Sequence, residues 1–148
     1  MSTEELRAQF ERSIEEMFHQ RNLDAMEKYY APSFVIHRPW GSEDFEECKH
    51  GLAKALAAFP DFHYTVEDFL VLGDIDVCRY KVRATSATGK TVETWGIEID
   101  RWENGKFVEM WSSYDRLSLM GQPPVTPAAP TTQTHSRVKP TCLAGASM

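Results

Sequence analysis

An α+β fold, with N-terminal helices packed on a curved antiparallel sheet, is what this sequence predicts, and a change of apolar period carries the prediction. Up to about residue 60 the apolar residues recur at helical spacing. From residue 62 to residue 114 they fall in four runs broken by Gly73-Asp74, Thr88-Gly89-Lys90 and Asn104-Gly105. Helices grouped ahead of hairpin-linked strands form two layers, because the apolar stripe of each helix must bury against the apolar face of the sheet.

Each element has its own signal. Ser2 with Glu5 three residues on is a capping box, and Leu6, Phe10, Ile14, Met17 and Phe18 follow as one helical stripe. Asn22 is placed to cap a second, shorter helix running to Tyr30, which Pro32 stops for want of an N–H. Residues 34–37 read as a short strand. Phe45, Cys48, Leu52, Leu56 and Phe59 make a second stripe over residues 43–59, ended by Pro60-Asp61. Residues 62–72, 75–87, 91–102 and 106–114 then form a four-stranded antiparallel meander.

At 148 residues the chain holds one domain, expected at residues 1–120. Residues 121–148 carry five of the eight prolines among Thr, Ala and Ser; little there offsets the entropy of ordering, so a disordered tail is expected. The formal charge of −6 and pI near 5.3, with scattered rather than clustered cations, argue against nucleic acid and anionic membranes as partners. Cys48, Cys78 and Cys142 have no metal-ligand spacing, and no two histidines or acids supply one, so no metal site is expected. The N-terminal segment opens on Ser2-Thr3-Glu4-Glu5 rather than on a basic and then apolar stretch, and no run approaches the ~20 apolar residues of a membrane span. A soluble, cytoplasmic protein is expected.

Three segments, NLDAMEKYYAPSFVIHRP, FPDFHYTVEDFLVLGD and GIEIDRWENGKFVEMWSSYD with a Leu-rich end, stand in an order and at a spacing that resemble the SnoaL-like polyketide cyclases, within the nuclear transport factor 2-like superfamily. The likeness spans residues 4–122. It implies a cone-shaped α+β barrel with a pocket for a hydrophobic small molecule. In some members it implies acid–base chemistry on a carbonyl compound with no metal or organic cofactor; many proteins on this scaffold bind without catalysis.

Proton abstraction beside a carbonyl needs a base near the carbon and a donor for the developing enolate oxygen, both away from bulk water. Asp115, in WSSYD, resembles the aspartate that cyclases of this family use as general acid/base; as an ordinary residue it would cap a turn or pair with Arg116. Glu98, in GIEID, stands where related steroid isomerases carry an acidic oxyanion donor, and an apolar cavity would keep it protonated. Hairpin register decides its fate. A two-residue turn at Thr88-Gly89 sets Arg79 opposite Glu98 as a solvated ion pair, whereas a three-residue loop with Lys90 sets Tyr80 opposite it, on the apolar face of Cys78 and Val82. At Asn104-Gly105 a two-residue turn groups Glu98 with Trp111 and Asp115, and a three-residue loop with a bulge groups it with Met110, Ser112 and Tyr114.

His37 and Arg38, at the end of the first strand, form the third candidate set: a histidine able to relay protons at the cavity mouth and an arginine able to hold a carboxylate or enolate oxygen, against the plainer reading of a surface histidine beside a basic residue. Tyr30, Trp40, Phe59, Tyr64, Tyr80, Trp111 and Tyr114, with Met110, are the side chains expected to shape the pocket. The chain departs from the steroid isomerases, with Arg38 before Pro39 where they place a carboxylate and Ile14 where they place a phenol. Met110 replaces a histidine common in SnoaL-like sequences.

The expected function is a cofactor-independent acid–base enzyme, of polyketide cyclase or isomerase type, acting on a hydrophobic carbonyl compound. The alternative is a non-catalytic small-molecule-binding or dimerisation domain. Arg79, Lys81 and Arg83 at alternate positions mark one sheet face as wet or as a polar interface, and an exposed sheet face favours a homodimer.

Overall fold

A computed structural model of the chain describes residues 1–119; the tail expected at residues 121–148 lies outside the described residues. Helix α1 (Thr3–Ile14) opens on the capping box read from the sequence: Ser2 N–H donates to Glu5 Oε2 at 2.7 Å and Glu5 N–H to Ser2 Oγ at 3.2 Å. Its buried stripe of Leu6, Phe10 and Ile14 continues into a π-helical turn, Glu15–His19, whose wider winding buries Met17 and its neighbour Phe18 together. The second helix is shorter than expected. Residues Leu23–Ala25 form a 3₁₀ turn and α2 spans only Met26–Tyr29, with no cap bond from the Asn22 side chain.

Strand β1 (Tyr30–Arg38) begins at once, so Pro32 lies inside a strand instead of ending a helix. It is tolerated there because β1 loses register with its neighbour between Tyr30 and Val35, where no ladder bond is demanded of it. Strand β2 (Gly41–Asp44), not anticipated from the sequence, folds back on β1, and Asp44 caps α3 (Phe45–Ala58) in a second reciprocal box with Glu47. The predicted meander follows as β3 (His63–Leu72), β4 (Ile75–Thr85), β5 (Thr91–Glu103) and β6 (Lys106–Tyr114), before the short α4 (Arg116–Leu119).

The sheet has six strands in the order β2-β1-β6-β5-β4-β3, antiparallel except for β1 beside β6. That parallel pairing lays the first strand against the last, so the sheet curves around the helices without closing. Its concave face carries the core: Phe10 of α1 packs its ring 4.8 Å from Phe69 and 6.0 Å from Phe107.

Both registers offered for the β4–β5 hairpin are corrected. The loop is five residues, Ser86 to Lys90, closed by Ser86 N–H to Lys90 O at 2.9 Å, and the residue opposite Glu98 is Cys78. Glu98 therefore shares the inner face with Cys78, Tyr80 and Val82, as the buried alternative required, through different pairing. In the β5–β6 hairpin the turn is the two-residue Asn104-Gly105, with both residues left-handed at φ 51° and 74°. Three residues beyond Gly105, Val108 has no partner, and this bulge moves the strand to the other parity, so that Glu98 faces Ser112, and Asp100 faces Met110.

Candidate functional site

Three carboxyl groups line the concave face on two adjacent strands. Glu98 is 7% exposed, and Asp76 and Asp100, directly opposite each other across β4 and β5, are 0% exposed. The alternation that turns Ile97 and Ile99 toward solvent turns Glu98 and Asp100 inward, the reverse of what hydrophobicity alone suggests for GIEID.

Glu98 sits in an aromatic cage. Tyr64 Oη donates to Glu98 Oε1 at 2.7 Å, and the Tyr64 ring stacks on Tyr80 at 4.5 Å and on Phe18 at 5.6 Å. Tyr80 Oη lies 3.3 Å from Ser112 Oγ, and Tyr64 Oη 3.8 Å from Cys78 Sγ. Burial pushes the Glu98 carboxyl up to about 7; the Tyr64 hydrogen bond and the Arg38 charge pull it down, while the Asp76 charge adds to the rise. Burial likewise raises the Tyr64 and Tyr80 phenols, so both remain neutral donors at physiological pH.

Arg38 points to the same side from β1. Its Nη1 lies 2.6 Å from both carboxylate oxygens of Glu43, and its buried Nε has no partner. The Cys48 thiol of α3, raised by burial to about 11, is close enough to feel the Arg38 charge. Tyr30 is buried between Phe34 and Phe107, each at 4.7 Å, and Met110 is buried beside Asp100.

Other candidates lie elsewhere. His37, between inward Ile36 and inward Arg38, faces the outer surface: it bonds Glu109 Oε1 at 2.9 Å and Ser42 Oγ at 2.8 Å and stacks on Trp111 at 5.4 Å. Trp111 shares that outer face, because the Val108 bulge reverses its parity. Asp115 is exposed at the start of α4, where Ser118 donates to it from N–H at 3.0 Å and from Oγ; these bonds hold its carboxyl below the usual carboxylate range. Trp40 and Tyr114 meet edge to face at 5.4 Å at the rim, with the Arg116 guanidinium 5.0 Å from the Trp40 ring. Phe59, half-buried, packs on the core at the end of α3.

Sequence reasoning missed Asp76, Asp100 and Cys48 as members of this cluster. The signal was present for two of them: Asp100 lies two residues from Glu98 and Asp76 two from Cys78, so the strand period that turns one inward turns both.

Two surface hollows stand out among the described residues. One of about 470 Å³ lies between the end of α3 and the β4–β5 loop, and one of about 490 Å³ is lined by Glu27, Tyr30, Pro32, Asp44, Phe45 and Glu46. Of the expected pocket residues only Tyr30 borders either, and Glu98 borders neither. Among the described residues no three His, Cys, Asp or Glu side chains are placed to hold a metal ion, and no helix is long and apolar enough to cross a membrane.

The family model for SnoaL-like polyketide cyclases matches residues 8–123, which include every strand described above. This chain belongs to that family. Solved SnoaL-like and related structures share its architecture. AclR of Streptomyces galilaeus, a proposed hydroxylase, is 23% identical with a TM-score of 0.75, over 85% of this chain and 91% of its own. IdmH of Streptomyces antibioticus, a proposed polyketide cyclase, is 24% identical with a TM-score of 0.71, over 79% and 96%. A proposed polyketide cyclase of Acidithiobacillus ferrooxidans is 24% identical with a TM-score of 0.71, over 82% and 96%. At these identities the likeness shows the shared α+β cone. No curated protein matches the chain. This member of the SnoaL-like family puts three acids on the inner face of its sheet, with Met110 buried beside Asp100.

Proposed function

We propose that this SnoaL-like protein is a cofactor-independent acid–base enzyme of cyclase or isomerase type, acting on a hydrophobic carbonyl compound, with Glu98 as the proton-carrying group. The observation that supports it is a buried carboxyl tuned by desolvation to about 7 and oriented by a 2.7 Å bond from Tyr64. A group poised near neutrality both accepts and returns a proton at physiological pH. In this mechanism ionised Glu98 takes a proton from the carbon beside the carbonyl, and the neutral acid returns it to oxygen or to a second carbon, so the residue ends the cycle as it began. Arg38, with its unpartnered Nε, stabilises the enolate oxygen, and the Tyr64–Tyr80 stack supports a planar substrate. Asp115, held ionised by Ser118, is given no proton transfer here.

The test is α-proton exchange in D₂O, followed by NMR, over a panel of hydrophobic 1,3-dicarbonyl compounds. Glu98→Gln should lower the rate roughly 10²- to 10⁴-fold with the Tm kept or raised. Loss of activity in Asp115→Asn, with Glu98→Gln fully active, would transfer the role to Asp115.

A non-catalytic reading is favoured by one observation, that Glu98 lines neither hollow. A binding or dimerisation domain would show no exchange with any member of the panel. Under either reading we assign the protein as a homodimer formed through the outer sheet face, where Trp95, Ile97, Ile99 and Trp111 are exposed.

A further inference from the structure

Asp76 and Asp100 are not needed for the proton transfer assigned to Glu98, and their arrangement calls for its own account. They are direct cross-strand partners, both fully buried on the concave face. Asp76 Oδ2 accepts the indole N–H of Trp102, whereas Asp76 Oδ1 and both oxygens of Asp100 have no partner. Two ionised carboxylates cannot face each other in such a place, since each loses its hydration and each repels the other. One proton resolves the conflict. If Asp100 is the neutral acid, its O–H donates to Asp76 Oδ1, which satisfies one orphan on each residue. Only the weakly accepting carbonyl oxygen of Asp100 is then left over. The charge falls on Asp76, the partner that already receives the Trp102 hydrogen bond.

We propose that Asp76 and Asp100 share a single proton and, as a singly charged pair beside Glu98, act as positioning residues that set how firmly Glu98 holds the proton it transfers. This rests on the assignment of Glu98 as the proton carrier. Asp100 is the second residue along β5 from Glu98 on the same face, and Asp76 is the second along β4 from Cys78, the residue opposite Glu98. Burial first, and then the charges of Glu98 and Asp76, push Asp100 well above the usual carboxylate range. Burial raises Asp76 to about 6, against the lowering effect of the Trp102 hydrogen bond and of the Asp100 carboxyl opposite it. The other ionisable groups acting on this interior are Tyr64 from β3, Cys78 and Tyr80 from β4, Tyr30 and Arg38 from β1, and Cys48 from α3; α1 presents apolar Leu6, Phe10 and Ile14. The inward arginine, Arg38, is occupied by Glu43, so the negative charge of the pair is not neutralised by it.

The experiment is a ¹³C NMR titration of the Glu98, Asp76 and Asp100 carboxyl carbons in the full-length wild type, Asp76→Asn and Asp100→Asn. In the wild type Asp100 should stay protonated at pH 7 with Asp76 ionised. Asp76→Asn should lower the Glu98 midpoint by about one unit, because a single buried charge near it is removed. Asp100→Asn should leave that midpoint nearly unchanged, since the amide N–H takes over the donation to Asp76. The pH–rate inflection of α-proton exchange should move with the Glu98 midpoint in each variant. Asp76 and Asp100 both ionised at pH 7 in the wild type overturn the shared proton, and this reading needs no variant to fold. An unmoved Glu98 midpoint in Asp76→Asn overturns the positioning role. Full activity in Glu98→Gln instead removes the proton transfer being positioned, while leaving the titration of the pair to be judged by itself.

Discussion

Gly96 shows how one residue conditions the site. A Cβ added there would lie 2.6 Å from both Cζ and Oη of Tyr80 and 2.9 Å from the Ser113 carbonyl oxygen. The missing side chain is what lets the Tyr80 ring lie across β5, stacked on Tyr64, which in turn holds Glu98. Gly96→Ala should therefore destabilise the protein by about 1–3 kcal/mol, the usual range for overpacking, and should weaken the Tyr64–Glu98 bond; thermal melting checks the first effect and the Glu98 titration midpoint the second. Glu98 makes a separate demand on pH. Its folded-state value of about 7 lies above the ordinary 4.5, so its contribution to stability is fully present below pH 4.5 and is lost as pH rises through 7. Carboxylates held low, such as Asp115 and Glu109, act with the opposite sign, their contribution being lost only as pH falls through and below the ordinary carboxylate range. Melting temperatures between pH 5 and pH 8 should fall more steeply for the wild type than for Glu98→Gln. Equal slopes would mean that Glu98 is solvated.

At the scale of the element, the β5–β6 hairpin explains which part of the site was legible in the sequence and which was not. Strand existence and the turn dipeptide follow from local pattern, whereas the inward position of Glu98 depends on hairpin register, which local pattern leaves open. The face of the following strand is left open as well, because turn length and strand parity separate: a two-residue turn is combined with a bulge at Val108. The physical reason is that Phe107 and Met110, three residues apart, are both drawn into the core, which a strict period of two forbids. The same bulge removes Trp111 from the expected pocket and brings in Met110 and Ser112. The core of strand β1 at residues 34–37 is legible, but its early start is not: the irregular stretch around Pro32 breaks the alternation, and only the long-range parallel pairing with β6 reveals the full length. Asn104 at φ 51° occupies a conformation that costs most side chains about 1 kcal/mol. Asn104→Ala should reduce stability by about that amount in urea denaturation and Asn104→Gly should not, whereas equal losses would place the strain outside the turn.

Taken as a whole, the molecule sets three acids within the apolar core on its inner sheet face and exposes large apolar side chains on its outer one. One row of direct partners crosses the outer face from β3 to β6, Leu70, Val77, Ile99 and Trp111, and ends on His37 of β1. Ile97 and Trp95, the latter 61% exposed, extend it along β5. Beside the row, Arg79 and Lys81 lie against Glu67, Asp68 and Glu93, so the border carries both signs of charge. An apolar centre with a mixed-charge border is self-complementary under a two-fold axis, and a second copy of the same face is the occupant that satisfies both features at once. Sedimentation at tens of micromolar should therefore give twice the 16.9 kDa chain mass. Ile99→Glu, at the centre of the row, should give a monomer with an unchanged far-UV circular dichroism spectrum, because its side chain meets solvent in the single chain and a partner only in the pair. A wild type that sediments as a monomer at that concentration would show that the face is left to water or reserved for a different partner.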